Sequence, residues 1–194
     1  MTTTLQTSAP LGNLNVQTLN RPVFELAHLA EERQLDLAPS YQRMSVWSET
    51  QRRMLVKSLM VGLPVPAVVL NVRAGRQWRD GGDFAYALVD GKQRVESLLA
   101  WFRGELSVPA SWFAPEHVVT TVDTEDGAYV TVDGLTPEEA RYCKMTWALP
   151  CVETKLSTVA EEAQAFGLVN GGGVSQTEED LARAATVAAT AGLV

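Results

Sequence analysis

Apolar positions along the chain recur at two spacings, a period of two and a period of about 3.6 residues, and their alternation predicts a mixed α and β fold. Residues 1–20 are polar, rich in Thr and Asn, and follow neither spacing. Residues 1–21 therefore read as a flexible leader and residues 22–194 as a single domain. From Pro22, VFELAHLAEERQLDL reads as a short strand, a short helix and a second short strand, ending at the Pro39-Ser40 turn. Ser48 caps a helix with Met54, Leu55, Ser58 and Leu59 on one face and Gly62 as its stop. AVVLNV (67–72) and FAYALV (84–89) read as paired strands joined by the Gly-rich RAGRQWRDGGD. Lys92 to Arg103 places Val95, Leu98, Leu99 and Phe102 at i, i+3, i+4 and i+7, which predicts a helix stopped by Gly104. A strand at Tyr129–Val132, a helix opened by Thr136-Pro137 and a strand at ALPCVET follow. Two helices close the chain, one from a Ser157 cap to near Gly167 and one from the capping box Ser175 to Glu178.

Composition limits the class of protein. The 194 residues are 46% hydrophobic and 20% charged, enough apolar material for a real core. The longest apolar run, Leu59 to Leu70, is 12 residues broken by Gly62, Pro64 and Pro66, against the roughly 20 that cross a bilayer. With no basic and apolar start of the secretory kind, the expected location is the cytoplasm. Cys143 and Cys151 fit no metal or redox spacing and read as buried thiols. His28 and His117 are the two histidines; there is no HExxH, no CxxC pair, no P-loop and no GxSxG elbow, so zinc, Walker-type and serine-hydrolase chemistry are set aside.

The net charge of −7 argues against binding nucleic acid by bulk charge, yet the charge is uneven. Residues 1–110 carry 12 Lys+Arg against 10 Asp+Glu, and residues 111–194 carry 4 against 13. Between Arg43 and Arg103 ten basic residues face five acidic ones, and Arg52, Arg53, Lys57, Arg76 and Arg79 are candidates for nucleic-acid contact, against the plain reading of a solvated basic face.

Three clusters carry candidate chemistry. In FAYALVDGKQRVESLLAWFRG an apolar strand runs through Asp90-Gly91 straight into an amphipathic helix, whose first turn offers unpaired N–H groups and a positive dipole end to an anion. Gly91 lets a ligand approach the backbone, Lys92 supplies a point charge, and Arg94 supplies a fork for phosphate oxygens. Asp90 can hold Mg²⁺, orient a water, or simply cap the helix. In PSYQRMSVWSETQRR, Tyr41, Gln42 and Arg43 precede the Ser48 helix; Trp47 either stacks on a base or anchors the core. In FGLVNGGGVS, Asn170 and Gly172 either bring amides to a ligand or form a flexible connection.

The ordered set PSYQR, Trp47 and Gln51, then GLPVP before a strand, then VDGKQR opening a helix, then FGLVNGGGVSQTEE resembles the DGQQR-motif domain. This is the ParB/sulfiredoxin-like domain of unknown function at the N-terminus of GmrSD-type restriction enzymes and of related phage-defence proteins. The resemblance spans about residues 22 to 185. It implies an α+β fold, a small mixed sheet flanked by helices, with the motifs converging on a nucleotide pocket. It also implies NTP binding or hydrolysis coupled to action on DNA; together with the residues, the expected cofactors are nucleoside triphosphate and Mg²⁺, and the expected function is NTP hydrolysis or phosphoryl transfer in defence, counter-defence or modification. In that reading Asp90, Arg94 and Arg43 are catalytic, with Asp90 the metal ligand. Tyr41, Gln42, Gly91, Lys92, Gln93, Asn170 and Gly172 bind nucleotide. The alternative is a non-catalytic module that senses nucleotide or DNA and acts through a protein partner. Lys92 stands where the family has the first Gln of its motif, which removes an amide acceptor and adds charge. With two histidines and this length, the chain is expected to rely on a separate effector or nuclease rather than to be a complete restriction enzyme of that type.

Overall fold

The computed structural model describes residues 13–42, 46–171 and Thr186. Among these residues two sheets and five α-helices give an α+β fold, as the alternating periods predict. Strand β1 (Gln17–Pro22) leads directly into α1 (Val23–Glu31), followed by β2 (Leu35–Asp36), α2 (Glu49–Met60), β3 (Val68–Val72), β4 (Tyr86–Asp90) and α3 (Lys92–Phe102). Then come β5 (Val108–Pro109), β6 (Val122–Thr124), β7 (Gly127–Val130), α4 (Pro137–Thr146), β8 (Ala148–Thr154) and α5 (Val159–Gly171). The larger sheet has the order β1-β8-β3-β4-β2; β8 runs parallel to β3 and β2 parallel to β4, the other pairs being antiparallel. A small antiparallel sheet, β5-β7-β6, lies apart from it.

Gln17 to Arg21, assigned by the sequence reading to the leader, instead form an edge strand paired with β8 from Gln17↔Glu153 to Pro22↔Ala148. An edge strand turns polar side chains outward, and only Leu19 and Arg21 alternate inward, too few positions to register as a period of two. Arg21 is buried and ion-paired to Glu153 and Glu25.

The central helix is α3. Its predicted stripe is buried at Val95, Leu98 and Leu99, but Ser97, Ala100 and Trp101 are buried as well, because α1, α2 and the small sheet enclose more than one face. Trp101 is fully buried and stacks between Phe113 and Trp147, with ring centroids 6.3 and 6.1 Å away. The pair β3 and β4 occurs where predicted, and β4 ends at Asp90, delivering the chain into α3 with Gly91 alone between them. Helix α5 starts from Thr158, whose Oγ1 accepts from the Glu161 N–H, one residue after the predicted Ser157 cap. It runs through Gly167 to Gly171. The expected helix from Ser175 lies outside the described residues.

Candidate functional site

Where β4 meets α3, a cleft of about 150 Å³ is lined by Asp90, Gly91, Lys92, Gln93 and Arg94 from that junction, Gln42 and Trp47 from the segment before α2, and Phe166 and Asn170 from α5. Three stretches far apart in sequence thus meet at one place. Arg43 and Gly172, expected to join them, lie outside the described residues.

Gly91, not Asp90, is the N-cap of α3, with φ of 99°, and no side chain caps this helix end. A Cβ at Gly91 would stand 2.5 Å from Val68 Cγ1 and 2.9 Å from Val68 Cβ. Glycine is therefore required here by backbone handedness and by packing against β3, beyond any approach of a ligand. The other four α-helices each carry glutamate in the first turn, whereas α3 has none and opens with Lys92 and Arg94. Its first turn thus carries two cations and no acid, with the carboxylate of Asp90 immediately before the cap.

Asp90 Oδ2 accepts from Arg94 Nη2 at 2.7 Å, and the same nitrogen donates to Ala67 O at 3.0 Å. Arg94 Nε is buried without a hydrogen-bond partner among the described residues. Lys92 Nζ lies 4.0 Å from Glu96, one turn along the helix. Among the described residues Asp90 is the one carboxylate lining the cleft, and no cluster of three or more His, Cys, Asp or Glu able to hold a metal occurs.

The two glutamines brace the site. Gln42, buried, donates from Nε2 to Leu88 O and, at 3.0 Å, to Val89 O, fastening its loop to β4. Gln93 Oε1 accepts from the Val46 and Trp47 N–H groups at 3.2 and 3.0 Å, fastening the entry of α2 to α3. Trp47 is half-buried, packing against the core and lining the cleft. Asn170 Nδ2 donates back to Phe166 O at 2.9 Å. Tyr41 differs from expectation: it is fully buried, does not line the cleft, and directs its hydroxyl to Glu162 Oε2 at 3.2 Å.

A family model of the GmrSD restriction endonuclease N-terminal domain matches residues 26–187. The chain belongs to that family. No curated protein and no solved structure matches it. Membership assigns the chain to restriction and phage defence, acting on DNA. No helix among the described residues is long and apolar enough to cross a membrane.

The basic residues nominated for nucleic acid do not form one free stripe. Arg53 donates from Nε to Ser107 O at 2.9 Å, pairs with Glu49 at 3.2 Å and lies over the Tyr129 ring. Lys57 lies over Trp112. Both join α2 to the small sheet and its flanking turn, a use that spacing alone does not show. Arg52 is half-buried beside Glu96, Arg103 and Glu105. Arg76 and Arg79 are exposed on the connection between β3 and β4, which docks on α5 through Arg79 N–H to Ser157 O and Val159 N–H to Asp80 Oδ2.

The sequence reading missed a buried polar network beneath the cleft. Glu162, with no exposed surface, accepts from Asn71 Nδ2 at 2.7 Å, Arg73 Nε at 2.8 Å, Arg73 Nη2 at 2.5 Å and Tyr41. Arg73 also reaches Asp36 at 3.0 Å. The available signal was an Asn-Val-Arg sequence ending an otherwise apolar strand, together with a glutamate on the inner face of an Ala-rich helix.

Proposed function

We propose that the cleft binds the phosphates of a nucleoside triphosphate and that its occupancy is coupled to the action of this family on DNA. The observation carrying the reading is the convergence of Asp90, Lys92 and Arg94 with Gln42 and Asn170 at one uncapped helix start. Backbone N–H groups, a dipole and two cations favour an anion there. Trp47, on the lining of the cleft, offers an aromatic face to a base.

The residues suit Mg²⁺ in a limited way. That ion commonly takes one or two carboxylates together with substrate phosphates and keeps several waters, so Asp90 supplies one ligand and the nucleotide brings the others. When bound, Mg²⁺ would neutralise phosphate charge. In this chain Asp90 holds the Arg94 guanidinium in place and Lys92 adds charge at the cleft wall. Because Asp90, the one carboxylate lining the cleft among the described residues, is paired with Arg94, the geometry supports nucleotide binding ahead of hydrolysis.

Calorimetric titration with Mg²⁺ and each common NTP tests this. At least one nucleotide should bind saturably, and Lys92→Ala should weaken it about tenfold, the scale of one charge-assisted contact. No binding by any of them to the wild-type chain overturns the reading.

A further inference from the structure

Glu162, Phe166 and Asn170 follow one another at intervals of four on α5, so they share a face of that helix. Phe166 and Asn170 line the cleft; Glu162, one turn below, is sealed in the network with Tyr41, Asn71 and Arg73. Tyr41 immediately precedes Gln42, which also lines the cleft, and its ring lies 5.7 Å from Phe166. The same network reaches β2 through Asp36 and the end of β8 through Thr154, whose Oγ1 donates to Asn71 Oδ1 at 3.1 Å.

The geometry points to Tyr41 and Glu162 as positioning residues that hold Phe166 and Asn170 on α5 in register with Gln42, thereby tuning nucleotide affinity. This rests on the nucleotide reading of the cleft. Three observations carry it. Helix α5 meets the sheet through a small hydrophobic cluster of its own, Tyr41, Val89, Leu156, Ala163, Ala165 and Phe166, separate from the main core. A buried ion pair is a poor source of stability, since apolar residues of the same volume often serve as well; its fixed hydrogen-bond directions are what it adds. And the donors are held as donors. Burial, and after it the Glu162 charge, push the Tyr41 phenol well above its ordinary range; burial opposes the Arg73 charge, but hydrogen bonds and charge from Glu162 and Asp36 more than offset it.

The test pairs Tyr41→Phe, which keeps the ring on Phe166 and deletes one hydroxyl, with Glu162→Gln, which keeps shape and removes charge. Two quantities are read: amide hydrogen exchange across residues 163–171 without nucleotide, and the Kd for the nucleotide that the wild-type chain binds. The expected result is faster exchange in 163–171 but not in β3 or β4, an unchanged melting temperature for Tyr41→Phe, and about tenfold weaker nucleotide binding. A purely structural role predicts a lowered melting temperature with unchanged Kd, and that outcome overturns the proposal, as does unaltered exchange in 163–171. If wild type binds no nucleotide while exchange responds as expected, the cleft reading falls and the seating of α5 by Tyr41 and Glu162 stands. Should Glu162→Gln fail to fold, Tyr41→Phe alone decides.

Discussion

One nitrogen of Arg94 serves two acceptors: Nη2 lies 2.7 Å from Asp90 Oδ2 and 3.0 Å from Ala67 O, which fixes the guanidinium between the end of β4 and the approach to β3. Both acceptors are served by the N–H groups of this one nitrogen, in directions fixed by the guanidinium plane, whereas the donors of a lysine ammonium rotate about its bond. Arg94→Lys should therefore bind nucleotide at least about tenfold more weakly than wild type despite keeping the charge, a loss on the scale of a charge-assisted hydrogen bond. Asp90→Asn, which keeps an acceptor without charge, should lose less. Titration calorimetry on both variants measures the difference; equal binding by Arg94→Lys and wild type would show that these fixed directions are not used.

Gly91→Ala should destabilise the protein by about 1–3 kcal/mol, the range for strained left-handed backbone, with the clash added. The obstruction is the branched Cβ and Cγ1 of Val68, close to the β3 backbone and unable to swing aside cheaply. Urea unfolding gives the loss, and in a double-mutant cycle the cost of Gly91→Ala should be smaller in a Val68→Ala background than in the wild-type one. A smaller cost indicates packing against Val68 Cγ1; an unchanged cost would mean that this contact does not contribute.

Gln93→Ala removes the acceptor shared by the Val46 and Trp47 amides. Those two amides should exchange with solvent faster by NMR, and Gln93→Glu, which retains the acceptor oxygen, should restore protection. Unchanged exchange in the alanine variant would mean that Gln93 does not hold the entry of α2.

Alkaline pH should weaken the fold. Burial raises the Cys151 thiol from 9.0 to about 11 and the Cys143 thiol from 9.0 to about 12, in the latter case with help from Glu139. Groups whose folded values are raised contribute stability that is complete below the unfolded value and is lost as pH climbs through the folded one. Unfolding free energy should be level with respect to these thiols up to about pH 9 and fall between about pH 9 and 11; Cys151→Ala should flatten that fall. Stability that rises across this window would contradict the assignment.

The junction of β4 and α3 was legible because each of its parts is local: an apolar strand, a glycine, two cations and a helical stripe in a single run of chain. What each motif residue does was less legible. Tyr41, Gln42 and Arg43 read as one polar group, yet Tyr41 turns inward to Glu162 and Gln42 to the β4 carbonyls, partners distant in sequence. The reason for Gly91 lies in Val68, on another strand. Gly167 reads as a helix stop, but α5 continues past it, and Asn170 bonds back across it to Phe166 O. Strand β1 was hidden because an edge strand needs few apolar residues.

A crystal structure grown with Mg²⁺ and a non-hydrolysable analogue of the nucleotide that binds in solution is the most direct measurement. Phosphate oxygens should lie within hydrogen-bonding distance of the first-turn amides of α3 and of Lys92 or Arg94, with Asn170 lining the same cleft. Phosphates bound at another surface, with the β4–α3 junction untouched, would contradict the nucleotide reading of this cleft.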